Sequence, residues 1–354
     1  MVVQPVKNMG KKTSLTLFFF YVITALFSSC GNSDKYPDVS DVKVDLISFR
    51  FDKDFAQLDT SHLANGLVLL QYKYPYFLNF YLDTLMGFGV NGNFNDSNAA
   101  ITKGLKPFLT HPDIRGLFDS VAVHFPDTKT TDDDLKRGFQ YLKHYYPYYK
   151  IPKIVYFISG LNKWYAFTVD STIVGVGLDM FLGKEYPFYQ SVQIPNYALA
   201  KCSKEYIPVN VFQAVFRNQH PFNDDDKNLL DMMIQRGKEQ YFLSKIIPFI
   251  DDTTRIGYTK KQLQWCHDNE AMIYNFLVKE NLLYETSKAK IVRFVNDGPF
   301  SVGMTEESPG NIGTWVGWQI VEHYVSKHPN ISLEELFENS DPQQILFQSG
   351  YKPR

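Results

Sequence analysis

Three cysteines in 354 residues exclude a scaffold built on disulfides, which needs a dense set of bridges. Beyond Cys30 only Cys202 and Cys266 remain, and both are expected to be unpaired, mostly buried thiols. Net charge is small: the formal balance is −2 and no basic block occurs. Neutralising a nucleic-acid backbone takes clustered Lys and Arg, so nucleic acid is not an expected partner. Hydrolase signatures are missing as well. None of the eight histidines has another four residues away, which removes the HExxH zinc helix, where His at i and i+4 share a face. The G-x-S-x-G elbow and the phosphate-binding P-loop are absent too, and the G-x-G-x-x-G spacing at Gly87 to Gly92 falls in the break "GFGVNGNFNDSN" rather than between a strand and a helix, so it is not read as a dinucleotide fingerprint. Cys266 and His267 are neighbours on an expected helix, so their side chains diverge by roughly 100° and do not make a catalytic pair. No cofactor or metal is expected, and no repeat or low-complexity tract stands out.

The first thirty residues carry the clearest chemistry. Lys7, Lys11 and Lys12 precede an apolar run from Leu15 to Phe27, followed by Ser28, Ser29 and Cys30. A positive start, a short apolar stretch and small residues before a cysteine fit a lipoprotein signal (residues 1–29), with Phe27 standing where leucine is usual. The thiol of Cys30 is then expected to be acylated and, after cleavage, to head the mature chain; an ordinary cleaved signal is the alternative. Several acyl chains bury enough methylenes for stable anchoring. Residues 30–42 hold the lipidated cysteine and a short turn-rich spacer, "GNSDKYPDVSDV", which keeps the rest of the chain close to the bilayer. No acidic tract succeeds Cys30, and a periplasm-facing position in the cell envelope is expected.

Residues 43–354 are read as one mainly helical α+β domain. Helical patterns run from Asp54 to Tyr149, broken at prolines and at the stretch "GFGVNGNFNDSN". In "TTDDDLKRGFQYLKHYY" Thr131 is the expected cap, and Asp132 to Asp134 suit the positive end of a helix. The period then changes. Residues 153–182 are rich in β-branched and aromatic side chains, with Asp170 and Ser171 as a turn, and predict a small sheet of at least three strands. Helices return after Pro208. Aromatics are 16% of the chain, with 29 Phe and 23 Tyr, so the core is expected to be built from rings whose hydroxyls reach polar partners or water.

Within that frame few polar residues stand out. On a continuous helix through "TKKQLQWCHDNEAMIYNFLVKE", Leu263, Cys266, Glu270, Ile273 and Leu277 form one seam, placing Glu270 among apolar neighbours. Burial costs several kcal/mol without a partner, so Glu270 is an acid, base or ligand, or a paired carboxylate fixing helix contacts; the second reading is favoured. Asp224 to Asp226 read as a solvated first turn. Gly313 and Gly317, one turn apart, allow close helix approach around Trp315 and Trp318.

The stretches "LLDMMIQRGKEQYFLSKIIP", "RIGYTKKQLQWCHDNEAMIYNFL", "LLYETS", "RFVNDGPFS" and "ESPGNIGTWVGWQIVEHYV", with the lipoprotein start, resemble the gliding motility lipoprotein family GldB of the Bacteroidetes along essentially the whole chain. The resemblance implies a membrane-anchored component of gliding machinery, working beside other gliding lipoproteins and the linked type IX secretion apparatus. That family is also distantly similar to zinc peptidases, in which a small sheet precedes an HExxH helix and a later E-G-x-x-x-Y-F segment supplies a ligand. Here the corresponding helix is "PVNVFQAVFRNQH", and Arg236 stands where the ligating acid belongs. A guanidinium cannot ligate zinc, so a zincin-like scaffold lacking the metal site is expected. Glu239 lies near but is expected to point elsewhere from position 236. A noncatalytic lipoprotein is the resulting expectation; a peptidase-like or other envelope hydrolase and an envelope ligand-binding lipoprotein are the alternatives.

Overall fold

The computed structural model describes residues 1–2 and 36–354. Cys30 and the segment read as a signal lie outside the described residues. Met1–Asp38 and Val39–Arg354 are separate units, and the second is organised around a continuous core.

The sheet is built where β-branched residues concentrate. Strands β1 (Ser48–Arg50), β2 (Lys153–Phe157), β3 (Ala166–Val169) and β4 (Ile173–Gly177) lie in the order β1-β2-β4-β3. Strands β1, β2 and β4 are parallel, while β3 and β4 form an antiparallel hairpin. Asp170 and Ser171 both take left-handed φ values, 47° and 57°, and form the centre of a tight turn in which the Thr172 amide donates to the Val169 carbonyl. The central strands β2 and β4 are buried along nearly their whole length, which matches their apolar sequences. The expected sheet is therefore present, with one more strand, β1, than the pattern at 153–182 supplies.

Among the described residues six helices longer than ten residues frame it: α1 (Leu63–Lys73), α2 (Pro112–His124), α3 (Lys129–Tyr145), α4 (Ile207–Gln219), α5 (Leu229–Ile246) and α6 (Ile312–Lys327). Helix α3 begins earlier than its sequence suggests. Thr128, not Thr131, holds the N-cap position, because the Asp132 carboxylate gathers hydroxyls from Thr128 at 2.9 Å, Ser48 at 2.9 Å and Tyr156 at 2.7 Å. This one acid ties the start of α3 to β1 and β2.

Aromatic packing fills the space between sheet and helices. Phe51 lies 4.8 to 5.2 Å, centroid to centroid, from Phe55, Tyr74, Phe77 and Tyr81. Buried tyrosines meet the cost of their hydroxyls by donating: Tyr81 to the Ile158 carbonyl at 2.9 Å and Tyr189 to the Asp179 carbonyl at 2.9 Å. The fully buried Asp179 carboxylate accepts from the Ser159 and Leu161 amides and the Ser159 hydroxyl. It thereby pins the loops that leave β2 and β4.

Helices α5 and α6 cross with backbone against backbone. A methyl group at Gly317 would land on the Met233 carbonyl oxygen, and one at Gly237 on the Gly317 carbonyl. Gly317 thus permits the close approach its spacing suggests, with Trp315 and Trp318 buried beside it. Helix α5 starts with a capping box in which the Asn228 side chain accepts from the Asp231 amide and the Asp231 carboxylate accepts from the Asn228 amide.

The region read as one helix through Glu270 is two. Lys260–Asp268 ends at Asn269, whose amide and side chain both donate to the Trp265 carbonyl, and Glu270–Lys279 begins anew. The continuous seam through Glu270 is therefore interrupted. No helix among the described residues is long and apolar enough to cross a membrane.

Candidate functional site

A polar cleft of about 380 Å³ opens between α4 and α5 and is closed at its far side by the first turn of α6. That volume lies in the usual range for small-molecule sites, roughly 300–1,000 Å³. Helix α4 contributes Asn210, Gln213 and Arg217, spaced i, i+3 and i+7, so one face of an otherwise apolar helix is polar. Helix α5 contributes Arg236, Glu239 and Gln240.

Glu239 is the centre of this wall. Its side chain is only 5% exposed, and Arg217 grips it with two guanidinium bonds, Nε to Oε2 at 2.8 Å and Nη2 to Oε1 at 2.9 Å. Such a forked pair satisfies both carboxylate oxygens. Arg236 Nη1 approaches Glu239 Oε2 at 3.7 Å, a distance for Coulomb attraction but not for a hydrogen bond. The expectation that Glu239 points away from position 236 is thus corrected: residues three apart are neighbours on a helix surface, and the two side chains converge.

Opposite this wall, Lys201 and Asp297 pair at 2.7 Å, and the Arg255 guanidinium is held by Asp252 and by the Ile250 carbonyl. Gln240 is 4% exposed, and its side-chain carbonyl oxygen has no hydrogen-bond partner among the described residues. Beyond Arg217 and Arg236 a second depression holds His220. Burial, reinforced by the Lys238 charge, pushes the His220 pKa down to about 4, so that imidazole is neutral at physiological pH.

Of the residues singled out in the sequence, Arg236 and Glu239 share this cleft, and Glu270 does not. Glu270 is half-buried and accepts from the Tyr351 hydroxyl at 2.8 Å; it is a paired carboxylate that holds the C-terminal segment. Cys202 and Cys266 are free and fully buried. Burial pushes both thiols up, which keeps them protonated and poor nucleophiles. His267 is exposed while its neighbour Cys266 is inside, as their divergence on a helix requires. Asp224 and Asp225 are exposed and face Lys288 at 3.5 and 3.1 Å. Among the described residues no group of three His, Cys, Asp or Glu side chains is placed to hold a metal ion.

Sequence reasoning missed Arg217, Gln240 and Lys201. The polar stripe at Asn210, Gln213 and Arg217 was the available signal. The partner of Arg217, 22 residues further on, is set by how α4 and α5 pack and has no local signature.

Comparison with curated proteins and with solved structures finds no match. The sequence model of the family described as gliding motility protein GldB matches residues 32–353, which includes both walls of the cleft and the whole sheet. The chain belongs to the GldB family of gliding motility proteins.

Proposed function

We propose that the protein is a noncatalytic lipoprotein, tethered through an acylated Cys30 with its folded part facing the periplasm, that braces or assembles the envelope machinery of gliding and its linked type IX secretion. The observation that carries this reading is the family match over residues 32–353. The character of the cleft supports it. Its one deeply buried acid, Glu239, is already neutralised by Arg217 and flanked by Arg236, and guanidinium groups neither ligate metals nor accept protons near neutral pH. The buried thiols offer no nucleophile. The short spacer after Cys30 keeps the folded part, and whatever it binds, within a few nanometres of the bilayer, on the order of what a dozen residues reach.

A clean deletion strain tests this directly. Surface spreading and cell gliding are lost, and the wild-type gene restores them. Cys30→Ala leaves the protein out of the membrane fraction and does not restore movement. Arg236→Ala and Glu270→Gln restore it to the extent that the variant protein accumulates. Normal gliding in the deletion strain sinks the motility role, membrane retention of the Cys30 variant sinks the anchor, and stoichiometric zinc in purified protein replaces the noncatalytic reading with a hydrolase.

A further inference from the structure

The cleft between α4 and α5 contains two groups whose hydrogen-bonding capacity the fold leaves unused. Gln240 is buried and its side-chain carbonyl has no partner among the described residues, an arrangement that costs free energy unless a donor arrives. Arg236 is 31% exposed, and the acid beside it, Glu239, lies beyond hydrogen-bond distance and is already satisfied by Arg217. Positions 236 and 240 are one helical turn apart, so the two side chains stand side by side on one face.

The rest of the lining fixes the sign of the charge that fits. Lys201, Arg217 and Arg255 are already paired with Asp297, Glu239 and Asp252, so among the cations that line the cleft Arg236 is the one without a hydrogen-bonded acid. A ligand there is anionic, and next to its anionic group it presents an N–H to Gln240. The half-buried rings of Tyr165 and Tyr206 and the side chain of Ile256 supply apolar contact beside these polar groups. An acid that carries a neighbouring amide is the chemistry of an acidic peptide segment, and the volume suits two or three residues rather than a folded domain.

We propose that this cleft binds an acidic peptide segment, its carboxylate on Arg236 and one of its N–H groups on the Gln240 side-chain carbonyl. The site is complete within Val39–Arg354 and does not depend on how the protein is anchored or on which machinery it serves.

The test uses the full chain in detergent micelles and two pools of end-blocked tripeptides, one with aspartate or glutamate at the centre and one with asparagine or glutamine there. Ligand-observed saturation-transfer titrations give the affinities. The acidic pool binds saturably and about tenfold or more tighter than the amide pool, the margin a charge-assisted fork provides. Arg236→Gln removes that preference. Gln240→Leu weakens the acidic pool about fivefold or more while keeping the preference, consistent with a lost hydrogen bond. Gln240→Glu, which sets a carboxylate beside Arg236, removes both, and unchanged thermal midpoints show that each variant is folded. Equal binding of the two pools, no binding of either, or inorganic phosphate binding that the acidic pool does not displace overturns the proposal; the last outcome marks a simple anion site.

Discussion

Arg217 and Arg236 both approach Glu239, but they do different work. Arg217 is half-exposed, with 54% of its side chain accessible, while the carboxylate it holds is 5% exposed. Removing Arg217 therefore leaves a desolvated charge whose nearest remaining cation is 3.7 Å away. Arg217→Ala is expected to lower the unfolding free energy by about 2 kcal/mol, less than a fully buried pair because water reaches the arginine side. Arg236→Ala changes it by less than about 1 kcal/mol, as for a surface pair. Urea denaturation of the two variants checks the order, and an equal loss at both positions would mean that Arg236 shares the carboxylate. The same residues show how far sequence alone reaches. Arg236 was legible as a cation where an acid was expected. Its convergence with Glu239 was legible as well, since residues three apart are neighbours on a helix surface; the grip of Arg217 on that acid was not, because it comes from the packing of α4 on α5.

Helix packing brings a second kind of constraint. Because α5 and α6 touch through their backbones at Gly237 and Gly317, no rotamer change can make room for a new methyl group. Gly317→Ala is expected to cost about 3 kcal/mol or more, the upper end of overpacking losses. Gly116, on the exposed face of helix α2, meets nothing within 4 Å, so Gly116→Ala adds about 0.5–1 kcal/mol by raising helix propensity and reducing the freedom of the unfolded chain. Thermal or urea unfolding of this pair separates close approach from propensity, since both changes insert the same atom. The close contact at Gly317 was readable because glycines one turn apart among large side chains open a groove on the helix that only a near neighbour can fill. The strands at Lys153–Phe157 and Ile173–Gly177 were readable from β-branched runs. Strand β1 was not, because three residues carry too little pattern, and its place is fixed by a partner a hundred positions away. Glu270 was placed on an unbroken seam because the break at Asn269 comes from a local side-chain bond to the Trp265 carbonyl that periodicity does not report.

Stability across pH belongs to the molecule as a whole, through groups whose folded surroundings hold them away from their ordinary pKa values. His220 is pushed down to about 4 by burial and then by Lys238. Between pH 6.5 and 4 the unfolded chain takes up a proton there that the folded chain refuses, so stability falls as pH falls through that window. Buried Asp179 is raised, mainly by desolvation, and acts in the opposite direction, holding a proton that the unfolded chain releases as pH rises past 3.8. At the alkaline end burial raises Tyr149 and Tyr241 to about 12 and lifts Tyr81, Tyr156 and Tyr258 well above 10. The folded chain then keeps protons the unfolded chain loses, and stability declines above pH 10. Lys238, lowered to about 8 by burial, offsets part of this between pH 8 and 10.5. Urea midpoints measured from pH 4.5 to 11 should fall at both ends, and His220→Gln should flatten the acid limb. An unaltered acid limb in that variant would locate the sensitivity elsewhere.

The order of the strands also bears on how the chain comes together in time. Strand β1 pairs in parallel with β2, whose residues lie about a hundred positions later, and parallel pairing over such a separation is intrinsically slow. A chain that emerges N-terminus first presents β1 well before β2 exists beside it. Until Phe157 has emerged, the aromatic residues just after β1, Phe51 and Phe55 among them, have no sheet to pack on. During that interval those rings have only one another and Tyr74, Phe77 and Tyr81 to stack on, and the sheet side of the cluster closes when the later strand arrives.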